Sequence, residues 1–165
     1  MSTKKISTFG VLVALAFIFS YVEALIPFNF AVPGMKLGLA NIVVLATLYL
    51  LGAKEAFVVS IIRVVLVGFT FGNLNTMLYS LAGGLLSFAV MALAKRFNLF
   101  SIIGVSVLGA IFHNVGQIAV AMIILETKAL IGYLPFLLVF GIVSGVVIGI
   151  VGGEITKRLK VIFRY

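Results

Sequence analysis

Long apolar runs broken by short polar stretches set the plan of this chain. A helix needs about 20 apolar residues to cross ~30 Å of hydrocarbon. The first run extends from Ser7 to Ile26, with Glu23 near its far end. The second, Leu37 to Leu51, covers only ~22 Å if wholly helical, so it starts inside the preceding loop or enters partly unwound. Gly52 ends it, Lys54 and Glu55 read as a tight polar turn, and a third run follows from Phe57 to Thr70. Phe71-Gly72-Asn73-Leu74-Asn75 reads as a second polar turn. Three more runs follow: Met77 to Ala94, Phe100 to Leu125, and Leu130 to Val151. A basic tail with Lys157, Arg158, Lys160 and Arg164 ends the chain. The runs are continuous rather than alternating, which argues against β structure. The predicted fold is an all-α integral membrane protein, one bundle of six transmembrane helices forming a single domain over residues 1–165.

Composition strengthens the membrane reading. Mean hydropathy is +1.36, with 64% hydrophobic and 10% charged residues, and a soluble domain could not hide so much apolar surface. The net charge of +8 does not point to nucleic acid, because the cations sit at the ends of the runs rather than in one stripe. With the N-terminus inside, Lys4, Lys5, Lys54, Lys95, Arg96 and the basic tail are cytoplasmic, while Lys36 and Lys128 alone face out. That asymmetry follows the positive-inside rule with both termini cytoplasmic. Lys4-Lys5 before an apolar run imitates a signal peptide, but the run continues to Ile26 without a small-residue cleavage site. A retained first span is therefore expected.

Polar residues inside such spans are costly and mark either function or a buried pair. The stretch Val32 to Asn41, VPGMKLGLAN, turns at Pro33-Gly34, shows Lys36, then sinks Asn41 into the second run. Counting ~1.5 Å per residue from the span ends, Glu23, Asn41, His113, Asn114 and Gln117 share one level below the outer surface. Asn73 and Asn75 lie in the outer turn above them, and Arg63 lies deeper but can reach upward. His113 and Gln117 are four apart and share a helix face, with Asn114 beside them. These nine residues, Lys36 included, are the candidate small-molecule site.

Plainer roles compete at each position. Asn41 and Asn114 could act as interhelical glue, typically worth ~0.6 kcal/mol. Arg63 could simply pair with Glu23, a buried ion pair that fixes packing. Lone His113 is more often a satisfied hydrogen-bonding residue than a metal ligand, and without a second His or any Cys no metal site is expected. Phe28, Phe30 and Phe71 could stack on a flat ring or anchor at the membrane interface. Gly141, Gly145, Gly149 and Gly153 line one face of the sixth span. Close backbone approach to a neighbouring span is their expected role, with docking to another subunit the sharper possibility. Gly10 and Ala14 make a shorter small-residue face suited to a partner.

Several chemistries are excluded or disfavoured. The chain has no cysteine and no aspartate, so disulfides and thiolate sites are impossible. The isolated Glu23, Glu55, Glu126 and Glu154 cannot build the clustered acids that hold Mg²⁺ on a diphosphate. No GxxxxGK[ST] loop is present, so the chain cannot use ATP by itself. No catalytic residue, cofactor or enzyme activity is expected.

PGMKLGLANIVVL, SIIRVVLVGFTFG, LYSLAGGLLSFAVMAL and GVSVLGAIFHNVGQIAVA, in that order, resemble the bacterial Gx transporter family, also labelled heptaprenyl diphosphate synthase component I. That family is in turn similar to the substrate-binding S components of energy-coupling factor (ECF) vitamin transporters. The resemblance implies a six-helix bundle in the bacterial cytoplasmic membrane with an outward-opening pocket. It implies a first helix whose Gly10 and Ala14 meet a transmembrane coupling subunit driven by two cytosolic ATPases. Gly10-xxx-Ala14-xxx-Ile18 stands where S components typically carry a strict Ala-xxx-Ala pattern. The expected function is binding and uptake of a small organic molecule. The competing expectation is a non-catalytic membrane accessory in isoprenoid, quinone or flavin-linked electron-transfer pathways.

Overall fold

Apolar runs do become helices, but local chemistry moves several of their ends. A computed structural model describes residues 3–26, 38–98 and 100–163, apart from the side chains of Lys4 and Phe163. The elements are α1 (Thr3–Leu25), α2 (Leu39–Leu50), α3 (Ala53–Thr70), α4 (Leu74–Arg96), α5 (Ile102–Ile124) and α6 (Leu134–Phe163), with a short 3₁₀ helix at Lys128–Tyr133 before α6. Helices α1, α4, α5 and α6 are long and apolar enough to cross a membrane. Helix α2 is apolar but only 12 residues long, and α3 carries three charged residues, Lys54, Glu55 and Arg63.

Four expected boundaries are corrected. Lys54 and Glu55 are not a turn: Gly52, at φ 116°, breaks the chain and α3 begins at Ala53. Glu55 then sits in the first turn, where the helix dipole favours an anion. Asn73 and Thr76 form a reciprocal capping box, so α4 starts at Leu74 and Asn75 is helical. Leu130 falls in the 3₁₀ helix, and α6 begins at Leu134. At the other end α6 runs past Val151 to Phe163, so Lys157, Arg158 and Lys160 are helical rather than tail. Gly152 does not end that helix. It lets α6 approach α2 so closely that a Cβ there would lie 3.0 Å from the Leu45 side chain.

Helices α2, α3, α4, α5 and α6 pack in a ring, each against the next, and α6 closes onto α2. Helix α1 lies against α2 and α3. The main core gathers around α2, whose Val44, Leu45 and Leu48 are almost fully buried with Ala16, Val59 and Val105. The glycine face of α6 answers the question its spacing raised. Added Cβ atoms would lie 2.7 Å from the Val107 Cα at Gly145 and 2.7 Å from the Ile103 Cα at Gly149. Gly141 and Gly153 abut Asn114 and Ile102. That face is therefore consumed by α5, and packing replaces the subunit-docking alternative. The opposite side of α6 exposes Phe136, Val139, Val143, Val147 and Ile150, as a lipid-facing surface requires.

Two cross-links secure the end of the bundle rich in Lys and Arg. Lys95 Nζ donates to the Leu48 carbonyl, closing an otherwise open group at the end of α2, and sits 4.9 Å from the Tyr49 ring centroid. Lys5 pairs with Glu55, tying α1 to α3. The Lys5 hydrogen bond holds the Glu55 carboxyl below its ordinary range. Its contribution is present above that range and is lost as pH falls through the lowered value. Glu55→Gln should flatten this part of the acid dependence of melting while costing under about 1 kcal/mol at neutral pH. Melting curves across the acid range check both.

Candidate functional site

At the other end, between the helices, the structure encloses a cavity of about 430 Å³. Its wall draws on every helix: Ser20 and Glu23 from α1, Asn41 from α2, Arg63, Val64 and Val67 from α3, Thr76, Met77 and Ser80 from α4, His113, Asn114 and Gln117 from α5, and Ser144 and Ile148 from α6. Glu23 and Arg63 are the only charged side chains among the described lining residues.

Each polar group is positioned by a local feature of the sequence. Glu23 follows Thr8, Leu12, Ala16 and Ser20 along the buried face of α1. Its Oε1 accepts from the Gly38 N–H, the residue before α2. Gly38 has φ 78°, a conformation that glycine adopts without penalty. Asn41 follows one turn later. Arg63 sits about 10 Å in from the Thr70 end of α3, by the helical rise, and is only 9% exposed. Its Nε has no hydrogen-bond partner among the described residues, while the Glu23 charge acts on it through space.

The α5 residues owe their aim to glycine. Gly83 of α4 and Gly116 of α5 meet backbone to backbone: a Cβ on Gly116 would be 2.9 Å from the Gly83 Cα. A Cβ on Gly83 would lie 2.6 Å from the His113 carbonyl oxygen and 2.8 Å from Gln117 Cγ. The SLAGG and HNVGQ segments thus form one helix crossing, and that crossing presents His113 and Gln117 to the cavity. Asn114 also touches the cavity, yet its Nδ2 donates to the Leu137 carbonyl of α6 at 2.6 Å. It is helix glue as well as lining.

The structure gathers Glu23, Asn41, Arg63, Asn73, His113, Asn114 and Gln117 on one cavity. Asn73 lies at its exposed edge, held as the α4 cap. Asn75 is exposed on α4 and is not part of the lining. Lys36, the Pro33-Gly34 turn, Phe28, Phe30 and Arg164 lie outside the described residues. Phe71 lines the cavity but is engaged by α1, with ring centroids 5.6 Å from Phe17 and 5.6 Å from Tyr21. Gly10 and Ala14 face outward on α1, and a Cβ on Gly10 would meet nothing within 4 Å. Sequence reasoning missed the hydroxyls of Ser20, Ser80, Thr76 and Ser144. Ser20 was within reach, since it stands three residues before Glu23 on the same helix face.

The family described as heptaprenyl diphosphate synthase component I matches residues 12–155. The chain belongs to this family. The matched span begins at Leu12 and ends at Ile155, so it contains every described residue that lines the cavity. It leaves out Gly10 and the basic end of α6. No curated protein and no solved structure matches the chain. Among the described residues no group of three or more His, Cys, Asp or Glu side chains could hold a metal ion.

Proposed function

We propose that this protein is the substrate-binding membrane subunit of a carrier for a small organic molecule. The supporting observation is the cavity: about 430 Å³, within the usual range for small-molecule sites, walled by apolar helices and holding a few convergent polar groups. Glu23, Asn41, Arg63, His113 and Gln117 are assigned to the ligand, with Asn73 at the exposed edge; Lys36, outside the described residues, is a further proposed contact. The cavity opens toward the outside of the bacterial cytoplasmic membrane and the Lys- and Arg-rich end faces the cytoplasm, following the positive-inside bias. With no ATP-binding loop in the chain, energy comes from partners: a transmembrane coupling subunit docking on the exposed Gly10–Ala14 face of α1, and cytosolic ATPases. Mass spectrometry of small molecules retained by the purified protein tests this reading. A near-stoichiometric compound that raises the melting temperature supports it, and a protein that retains nothing and responds to no compound rejects it.

One observation favours a second reading. The family description names a component of an isoprenoid diphosphate synthase. In a chain without aspartate, that role is non-catalytic: an accessory in isoprenoid, quinone or flavin-linked electron transfer. Affinity capture separates the two, since the carrier brings down ATPases and the accessory brings down a prenyl-transferring enzyme.

A further inference from the structure

The wall of the cavity is not evenly polar. Its only described charges are Glu23 and Arg63, and they are held differently. Glu23 has a backbone donor in the Gly38 N–H. Arg63 is the deepest lining residue on α3, flanked there by Val64 and Val67. Its Nε is buried without a hydrogen-bond partner among the described residues. Burying a guanidinium without satisfying its planar fork of donors is expensive. A bundle that keeps such a group against a hollow is stabilised when the hollow receives a matching acceptor.

We propose that the cavity takes an anionic small molecule whose carboxylate or phosphate group seats on Arg63. This assignment rests on the carrier reading and names the class of its cargo. Two oxygens of such a group match two guanidinium donors at once, a geometry that lysine or histidine cannot offer. Asn41, Gln117 and Ser80 supply amide and hydroxyl contacts for the remainder of the ligand. Glu23 compensates Arg63 between loads without occupying its Nε. The volume admits a compound of vitamin size, not a whole long-chain prenyl lipid.

The test compares wild type with Arg63→Met in detergent. Small molecules are extracted from each protein, and melting is measured after exhaustive dialysis. Inorganic phosphate, nicotinate and dimethylallyl diphosphate serve as probes, with nicotinamide and dimethylallyl alcohol as neutral counterparts. Wild type is expected to yield an acid near one per chain, or to be stabilised by the anionic member of a pair only. Arg63→Met, where it folds, loses that acid at least about tenfold, the weight of a charge-assisted hydrogen-bond pair. Whether the acid or the responding probe is a carboxylate or a phosphate identifies the source. A neutral compound retained equally by both proteins overturns the anion assignment and leaves the carrier standing. Arg63→Met melting well below ligand-free wild type, with its ligand undiminished, makes Arg63 structural and likewise overturns it. Nothing retained and no probe response in wild type defeats the carrier and the anion assignment together. If Arg63→Met does not fold, Arg63→Lys keeps the charge without the planar fork. It must still lose the acid about tenfold, and undiminished retention by Arg63→Lys overturns the proposal.

Discussion

Gly83→Leu is expected to yield little or no folded, monodisperse protein in detergent, the largest loss of any single substitution considered. Overpacking a core costs typically ~1–3 kcal/mol when side chains can shift, and here they cannot. A Cβ alone at Gly83 would stand 2.6 Å from a main-chain oxygen of α5, so the helices themselves must separate. Gly116→Val should fail for the same reason, its Cβ lying 2.9 Å from the Ala82 carbonyl oxygen. Gly83→Ala is the graded version: it lowers melting and weakens ligand retention together, because the same crossing aims His113 and Gln117. Gly10→Leu is the control, with open space at its Cβ and a stability change expected within about 0.5 kcal/mol. Size-exclusion profiles and melting curves of the four variants decide the matter. A Gly83→Leu protein that melts like wild type would sink this account of the α4–α5 seam.

Glu23→Leu ranks second. The change removes the acceptor of the Gly38 N–H and the carboxylate that acts on Arg63. Both groups are nearly closed to water, Glu23 at 8% and Arg63 at 9% exposed. Removing one member of a buried charge pair typically costs ~3–5 kcal/mol, mostly because the other is left uncompensated. The double variant Glu23→Leu, Arg63→Met should therefore recover a large part of the loss, which no independent pair of sites would do. Melting of the two single variants and the double variant forms a cycle. Strict additivity would mean that the charges stabilise the bundle separately and that the expected pairing is wrong.

The fold was largely legible because hydrocarbon leaves so few options. Continuous apolar runs could only be helices, and Glu23, Asn41, His113 and Gln117 stood out within them. What escaped was local. The charges of Lys54 and Glu55 suggest a turn, but the break lies earlier, at Gly52. Reading Lys157, Arg158 and Lys160 as a basic tail places the end of α6 at Val151, whereas the helix continues through Gly152, which meets Leu45 of α2. Proximity places Asn75 with Asn73, but the capping box commits only Asn73 to the helix end and leaves Asn75 inside α4. The glycines of SLAGG and HNVGQ could be seen, but not that they meet each other. Which helix faces which is a three-dimensional fact, and one sequence carries it only faintly.

The length of α2 has a consequence for how the protein is made. Its 12 residues rise only ~18 Å, well short of a bilayer, and eight of them are buried by neighbouring helices rather than left for lipid. Such a segment has little to hold it upright during synthesis. Its insertion is expected to depend on α1 and α3, which pack against it, rather than on its own length. Lesions in those two neighbours should therefore appear first as failed biogenesis, before any mature protein exists whose stability could be measured.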